Sequence, residues 1–231
     1  MSLALRRLDA WYGQAQVLWG VDLHVPRGSV VGVLGRNGAG KTTLLRCIAG
    51  LHDRLSADIV ADGERIAHCR PEVISRSGIT LVREGARLPA SLSVTENLEL
   101  GRRLARLRGK SGKTFDDAWR WFPILEPLRQ SKAGLLSGGQ RQALALAMAF
   151  VSEPSIVLLD EPSAGLAPPV ARELFATIRQ LAASGLTVLL VEQQPAWLEG
   201  LARECFLLEV GRVVARGDVS HLMRSSSHSL H

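Results

Sequence analysis

The chain has 231 residues, 46% hydrophobic and 22% charged, which suits one compound globular domain with a large core. No apolar run approaches the roughly 18 residues of a spanning helix, and Met1–Arg7 lacks the apolar core of a signal peptide. The chain is therefore expected to stay in the cytosol, on a membrane only through other subunits. The net charge of +6 is modest, and the three cysteines, Cys47, Cys69 and Cys205, show no metal-ligand spacing, so they read as reduced packing residues.

In chain order, the first 30 residues alternate apolar and polar in short runs. Val21–Val25 is a strand candidate closed by a Pro26-Arg27-Gly28 turn. Val30–Leu34 reads as a buried strand and Thr43–Ala49 as a helix. Between them stands Gly35-Arg36-Asn37-Gly38-Ala39-Gly40-Lys41-Thr42, a phosphate-loop pattern in the strand–turn–helix context that it needs. Glycines let such a loop fold into a nest of N–H groups around phosphate oxygens, and the helix start adds its positive end. Lys41 can reach the β- and γ-phosphates, and the Thr42 hydroxyl can ligate Mg²⁺. A second turn is expected at Asp62-Gly63 between short strands.

From about 87 to 150 the pattern is helical. Ser93-Val94-Thr95-Glu96 is a capping-box start. Arg102, Arg103, Arg106, Arg108, Lys110 and Lys113 then follow one another with no acid between Glu99 and Asp116. The run reads as a solvated helix face and loop, or as a contact for anionic lipid or an acidic partner. No aromatic residue interleaves it, so nucleic-acid binding is not expected. Pro123 and Pro127 mark a loop between helices. Ser137-Gly138-Gly139-Gln140 is another capping-box start, and Ala143–Val151 reads as a buried helix. Ile156–Leu159 is an apolar strand running into Asp160-Glu161, where a strand-end carboxylate can hold Mg²⁺ directly or through water. Pro168-Pro169 opens a helix that stops before Gly185. Thr187–Val191 is a buried strand, and Phe206–Glu209 with Arg212–Ala215 forms a hairpin around Gly211. Residues 225–231, with His228 and His231, read as a flexible tail.

The loop at 35–42, Leu136-Ser137-Gly138-Gly139-Gln140 and the strand ending in Asp160-Glu161 occur in this order, with 23 residues from Ser137 to Asp160. Over the whole chain this resembles the ATP-binding-cassette ATPases, the motor subunits of ABC transporters. The resemblance implies an α/β fold of phosphate-loop (RecA-like) type. It has a mostly parallel sheet with helices, a small antiparallel β subdomain and an inserted helical subdomain. It implies a single domain, with residues 1–86 and 151–231 as the nucleotide-binding core and 87–150 as the helical insertion. It also implies ATP held by Gly35, Asn37, Gly38, Ala39, Gly40, Lys41, Thr42 and Thr43, with Tyr12 (or, one register away, Trp11) stacked on adenine. Thr42, Glu84 and Asp160 are the expected Mg²⁺ ligands, and Glu161, Lys41 and Gln193 the expected catalytic set, with Glu161 as general base. Ser137, Gly138, Gly139 and Gln140 would contact the γ-phosphate of a second ATPase subunit across a head-to-tail dimer.

Several positions depart from the general ABC pattern. Glu84 stands where Gln is usual, Ala167 where Asp is common, and Gln193 where the switch histidine usually lies. Together with Gly165-Leu166-Ala167-Pro168 and Ser91–Leu98 they resemble the ATPases of importers for branched-chain and other hydrophobic amino acids, and their relatives for urea and short amides. Arg83, where that branch usually has Pro, and Gln140, where it often has Glu, fit it less well. That branch implies membrane permease partners, a cytoplasmic-side location and an extracytoplasmic solute-binding protein as an indirect partner. The Glu84–Ser91 loop would couple the core to the permease. A soluble repair or translation ATPase would need a long coiled-coil insertion or a second cassette, and neither is visible.

Overall fold

Every residue of Val30–Leu34 (β3) is buried, as a continuous apolar run inside a parallel sheet requires. In the computed structural model, which describes residues 1–226 with side chains through 222, β3 lies between β8 (Thr187–Glu192) and β9 (Glu204–Glu209). Parallel β7 (Ile156–Asp160) and β6 (Ile79–Val82) extend the sheet on one side, and β10 (Arg212–Gly217) closes the other as an antiparallel partner of β9. Alternate residues feed two cores. Val31, Val33, Leu158, Leu189 and Val191 face one, while Leu34, Val157, Leu159, Val188 and Leu190 face the other.

The first core is shared with an antiparallel sheet ordered β2 (Ala15–Val25), β1 (Leu3–Tyr12), β4 (Leu55–Ala61), β5 (Glu64–Arg65), and with helix α1 (Lys41–Ile48). The expected strand at Val21–Val25 is thus the end of a longer one. The second core carries α3 (Val94–Leu107), α4 (Phe115–Trp121), α5 (Gly138–Val151) and α6 (Pro168–Ala183). Both expected capping boxes form: Ser93 caps Glu96 N–H, and Ser137 caps Gln140 N–H, each answered by the N3 side chain. Helices α3 and α5 touch through Gly101, where a Cβ would stand 2.5 Å from the Met148 carbonyl oxygen. The expected connection between helices at Pro123 and Pro127 contains a 3₁₀ helix over Pro123–Leu128, whose first position suits Pro. Short helix α2 (Pro71–Arg76) and strand β6 go beyond the sequence reading, as does α7 (Val219–Ser226). Of the expected tail, 225–226 end α7, and 227–231, with His228 and His231, lie outside the described residues.

Arg103, Arg106, Lys110 and Lys113 of the basic run are exposed, as a solvated face and loop require, while Arg102 and Arg108 are half-buried. Arg102 and Arg106 both pair with Glu99, and Arg102 also lies 5.0 Å over the Phe115 ring. Arg108 donates to the carbonyls of Ser75 (2.8 Å) and Ser152 (2.9 Å), at the C-terminal ends of α2 and α5. It thereby adds a side-chain donor to the last carbonyls of two helices. Lys110 donates to the Glu153 carbonyl at 2.6 Å.

All three cysteines are free thiols. Burial pushes Cys47 and Cys205 up to about 12, against weaker opposing effects from Arg46 on Cys47 and from the Gly32 backbone on Cys205. Thiolate is the reactive form. Alkylation of the native protein near pH 8 should therefore label only the partly exposed Cys69, with Cys47 and Cys205 reacting after unfolding. Peptide mapping by mass spectrometry checks this, and native labelling of Cys47 would contradict the packing of α1.

Candidate functional site

The C-terminal edge of the parallel sheet positions the reactive side chains. The chain leaves β3 at Leu34 and wraps through Gly35–Gly40 before α1 begins. Gly35 leaves no room for a side chain, since a Cβ would lie 2.5 Å from the Leu208 carbonyl oxygen. Gly40 has φ 106° and precedes α1 without any side-chain cap, and no acid occupies the first turn. The first N–H groups of α1 are therefore left for an anion, with the helix dipole favouring it. Asn37 and Gly38 are exposed at the rim, Ala39 is buried, and Thr43 is buried in α1.

Lys41 is 4% exposed and anchors the centre. Its Nζ donates to the carbonyls of Gly35 (2.7 Å) and Arg36 (3.0 Å) and lies 2.9 Å from Glu161 Oε1. All three ammonium donors are engaged on the loop and on one carboxylate. Beside it, Thr42 Oγ1 donates to Asp160 Oδ1 at 3.1 Å. Asp160 ends β7 inside the sheet, and Glu161 follows with φ 43° while its N–H donates to the Val191 carbonyl at 3.0 Å. Burial raises the Asp160 carboxyl above its usual range; the Thr42 hydrogen bond lowers it, the charges of Glu161 and Glu84 raise it further, and Lys41 lowers it. Glu84, exposed after β6, thus adds its negative field to this corner.

Such a corner fits a hard divalent cation. The donors are a hydroxyl and carboxylates, all oxygen, and a cation would relieve the repulsion that Glu84 and Glu161 impose on Asp160. No group of three His, Cys, Asp or Glu side chains converges as a complete metal cluster among the described residues. A cation at Thr42, Asp160 and Glu84 would take the rest of its shell from phosphate and water.

The other expected site residues lie around this centre. Tyr12 ends β1 and is 46% exposed, its ring braced edge-on by His52 at 4.7 Å. An exposed, braced aromatic is suited to stacking on a base, whereas Trp11 is half-buried and gives its carbonyl to His52. Gln193 follows β8 and is exposed, with its N–H bound to its neighbour Glu192. The segment Ser137–Gln140 is not joined to the glycine loop by any hydrogen bond or ion pair found among the described residues. Ser137 and Gly138 are exposed at the start of α5, and Gly139 packs closely on Val170 of α6.

Sequence reasoning gave no role to Glu192 or Asn97. Glu192 ends β8, is 1% exposed, and accepts from Ser163 N–H and Gln193 N–H. Its signal is an acid at the end of an otherwise apolar strand. Asn97 is fully buried and donates through Nδ2 to the carbonyls of Pro89, Leu92 and Ser93, pinning the loop that leads from Glu84 to α3. An apolar groove of about 270 Å³ opens beside that loop, lined by Leu81, Arg83, Arg87, Leu88, Leu104 and Met148 among others.

The sequence profile of the ABC transporter family matches residues 18–164. Over 212 residues the chain is 37% identical to the high-affinity branched-chain amino acid transport ATP-binding protein BraG of Pseudomonas aeruginosa, which spans 92% of this chain and 91% of that protein. It is 34% identical over 218 residues to the "probable branched-chain amino acid transport ATP-binding protein LivF" of Archaeoglobus fulgidus, across 94% and 92% of the two chains. Among solved structures, one described as an ATP-binding subunit of an ABC transporter superposes with a TM-score of 0.81 at 29% identity, covering 98% of this chain and 94% of the other.

Proposed function

This chain belongs to the ABC transporter ATP-binding family, and from that premise we propose that it is the ATP-hydrolysing motor of an importer for branched-chain or other hydrophobic amino acids. The observation that carries the reading is one corner where a glycine loop, Lys41, the Thr42–Asp160 pair and Glu161 meet within hydrogen-bond distances. A binding module would need the loop and the lysine; a hydrolase also needs an acceptor for the proton of water, a role we assign to Glu161, whose carboxylate lies 2.9 Å from Lys41 Nζ.

The chain's residues divide the work as follows. The loop N–H groups and the start of α1 bind the phosphates, and Lys41 brings a buried positive charge to the β- and γ-phosphates. Tyr12 stacks on adenine. Thr42, Asp160 and Glu84 would hold Mg²⁺, which neutralises phosphate charge when bound. Glu161 orients the attacking water and accepts its proton. Gln193 donates its amide N–H to a γ-phosphate oxygen, as a sensor with no proton of its own to exchange. Exposure of Ser137 and Gly138 suits a second ATPase subunit, each site taking its loop from one chain and its Ser137–Gln140 segment from the other.

No helix among the described residues is long and apolar enough to cross a membrane. In the proposed importer the chain is held at the cytoplasmic face by permease subunits, with the solute delivered by an extracytoplasmic binding protein. The groove beside Arg87 and Leu88 is the proposed permease seat. It adjoins Glu84, so a permease element there feels the state of the cation corner. In a reconstituted complex, Leu88→Ser or Arg87→Glu should lower solute uptake by about tenfold, the scale of losing one interface anchor. ATPase activity should fall by much less. Equal loss of both activities would remove the coupling role, and absence of ATP-driven uptake by the intact complex would overturn the importer reading.

A further inference from the structure

Glu192 closes a link between the turn after Glu161 and the backbone of Gln193. It is the last residue of β8, a strand whose six residues are all buried, and its neighbour across the sheet is Leu34 at the start of the glycine loop. An apolar residue would pack there at less cost, since burying a carboxylate is unfavourable unless each oxygen finds a donor. Here each oxygen does. Oε1 accepts from Ser163 N–H at 3.0 Å and Oε2 from Gln193 N–H at 3.1 Å.

Those donors are in informative places. Ser163 lies two residues after Glu161, in a turn closed by Ala164 N–H to the Glu161 carbonyl (3.0 Å) and Leu166 N–H to the Ser163 carbonyl (3.1 Å). Glu161 itself has φ 43°, a conformation that a non-glycine residue keeps only when its surroundings over-determine it. One constraint is the Glu161 N–H bond to Val191, the residue before Glu192. Another is the Glu192–Ser163 bond, two residues on. The same carboxylate then holds the backbone of Gln193.

We propose that Glu192 is a positioning residue for hydrolysis, whose two oxygens lock the turn after Glu161 to the backbone of Gln193 so that base and sensor address the same phosphate. It touches neither water nor phosphate and acts through its two neighbours. Burial raises its carboxyl above the usual range, against the lowering by Ser163 and Gln193, and the nearby Glu161 raises it too; the link is thus kept at an electrostatic cost. The inference rests on the reading of Glu161 as base and Gln193 as sensor.

The test uses the full chain with MgATP and a double-mutant cycle. Glu192→Gln keeps the shape but turns one acceptor oxygen into an N–H donor, so at least one of the two bonds is lost. Turnover should fall about tenfold, the effect of removing one charged hydrogen bond that matters to the transition state, while ATP affinity by calorimetry stays within about twofold. Amide hydrogen exchange at Ser163 and Gln193 should quicken. Because Glu192 works partly through Gln193, the loss in Glu192→Gln/Gln193→Ala should be smaller than the product of the two single losses. A packing role alone would give multiplicative losses, and that result, or near-normal turnover in Glu192→Gln, overturns the proposal. Should the Gln variant not fold, Glu192→Asp, which keeps two acceptors on a shorter stem, is taken through the same cycle with the same criterion. A wild-type chain that binds ATP without hydrolysing it would instead overturn the motor reading and the inference with it; failure of the cycle in an active enzyme overturns the inference alone.

Discussion

Replacing Glu161 with glutamine is expected to leave MgATP binding intact, to cut turnover by about 10²–10⁴-fold, and to accumulate an ATP-bound dimer. The factor is that of losing a positioned general base. Glutamine has the same length and can still accept one hydrogen bond, so the turn held by Ala164, Ser163 and Val191 has no reason to move. What it loses is the basic oxygen and the negative charge. In the wild-type chain that charge lies 2.9 Å from Lys41 and pushes the neighbouring Asp160 carboxyl upward. Removing it frees Lys41 for phosphate and lightens the repulsion that a triphosphate must meet, so affinity should hold or improve. With hydrolysis blocked, two chains sandwiching ATP would have no step that separates them. Phosphate release at steady state, calorimetry and size-exclusion chromatography with ATP read the three effects. Turnover within a few-fold of wild type would remove Glu161 from the role of base.

The parts of this architecture that sequence reading reached are those written in a few adjacent residues. The glycine loop is one, because positive φ at Gly38 and Gly40 and the lack of space at Gly35 are demands that only those residues meet. The capping boxes at Ser93 and Ser137 are others, each closed within one helical turn. The final hairpin was legible from Gly211, whose N–H reaches the Ala39 carbonyl and whose carbonyl accepts from Trp19, tying β10 to the loop and to β2. What stayed hidden depends on residues far apart in the chain. Strand β6 has only four residues and is recognisable chiefly through its pairing with β7. The basic run looked like a solvated face because no acid follows Glu99 until Asp116. Arg103, Arg106, Lys110 and Lys113 are exposed as that reading has it; what it missed is that Arg102 and Arg106 pair with Glu99 and that Arg108 reaches helix-end carbonyls that folding brings beside it. Glu192 has no role in the sequence reading because the strand there reads only to Val191, and its burial comes with the turn at Ser163, from whose N–H it accepts.

Lys41→Ala should lower MgATP affinity by at least about two orders of magnitude, because two effects act in the same direction. The first is loss of contact: a buried ammonium directed at phosphate oxygens makes charge-assisted hydrogen bonds worth about 1.5–3 kcal/mol each. The second is the charge left behind. Lys41 is the cation that offsets Glu161 at 2.9 Å and lowers Asp160, while Glu84 adds negative field at the same corner. Without it, a triphosphate must approach uncompensated carboxylates in a partly buried site, where screening by water is weak. The rest of the nest would persist. Helix α1 is held by Leu44, Leu45, Cys47 and Ile48, all buried against the antiparallel sheet and the central strands, so the variant should fold and melt near the wild-type temperature. This separates it from Glu161→Gln, which removes negative charge from the same ion pair and should hold nucleotide as well or better. Calorimetry on the two variants side by side therefore reads the sign of the electrostatics as well as its size. Unchanged affinity in Lys41→Ala would sink the phosphate-site assignment. Equal losses in both variants would mean that the ion pair, rather than the lysine charge, organises the site.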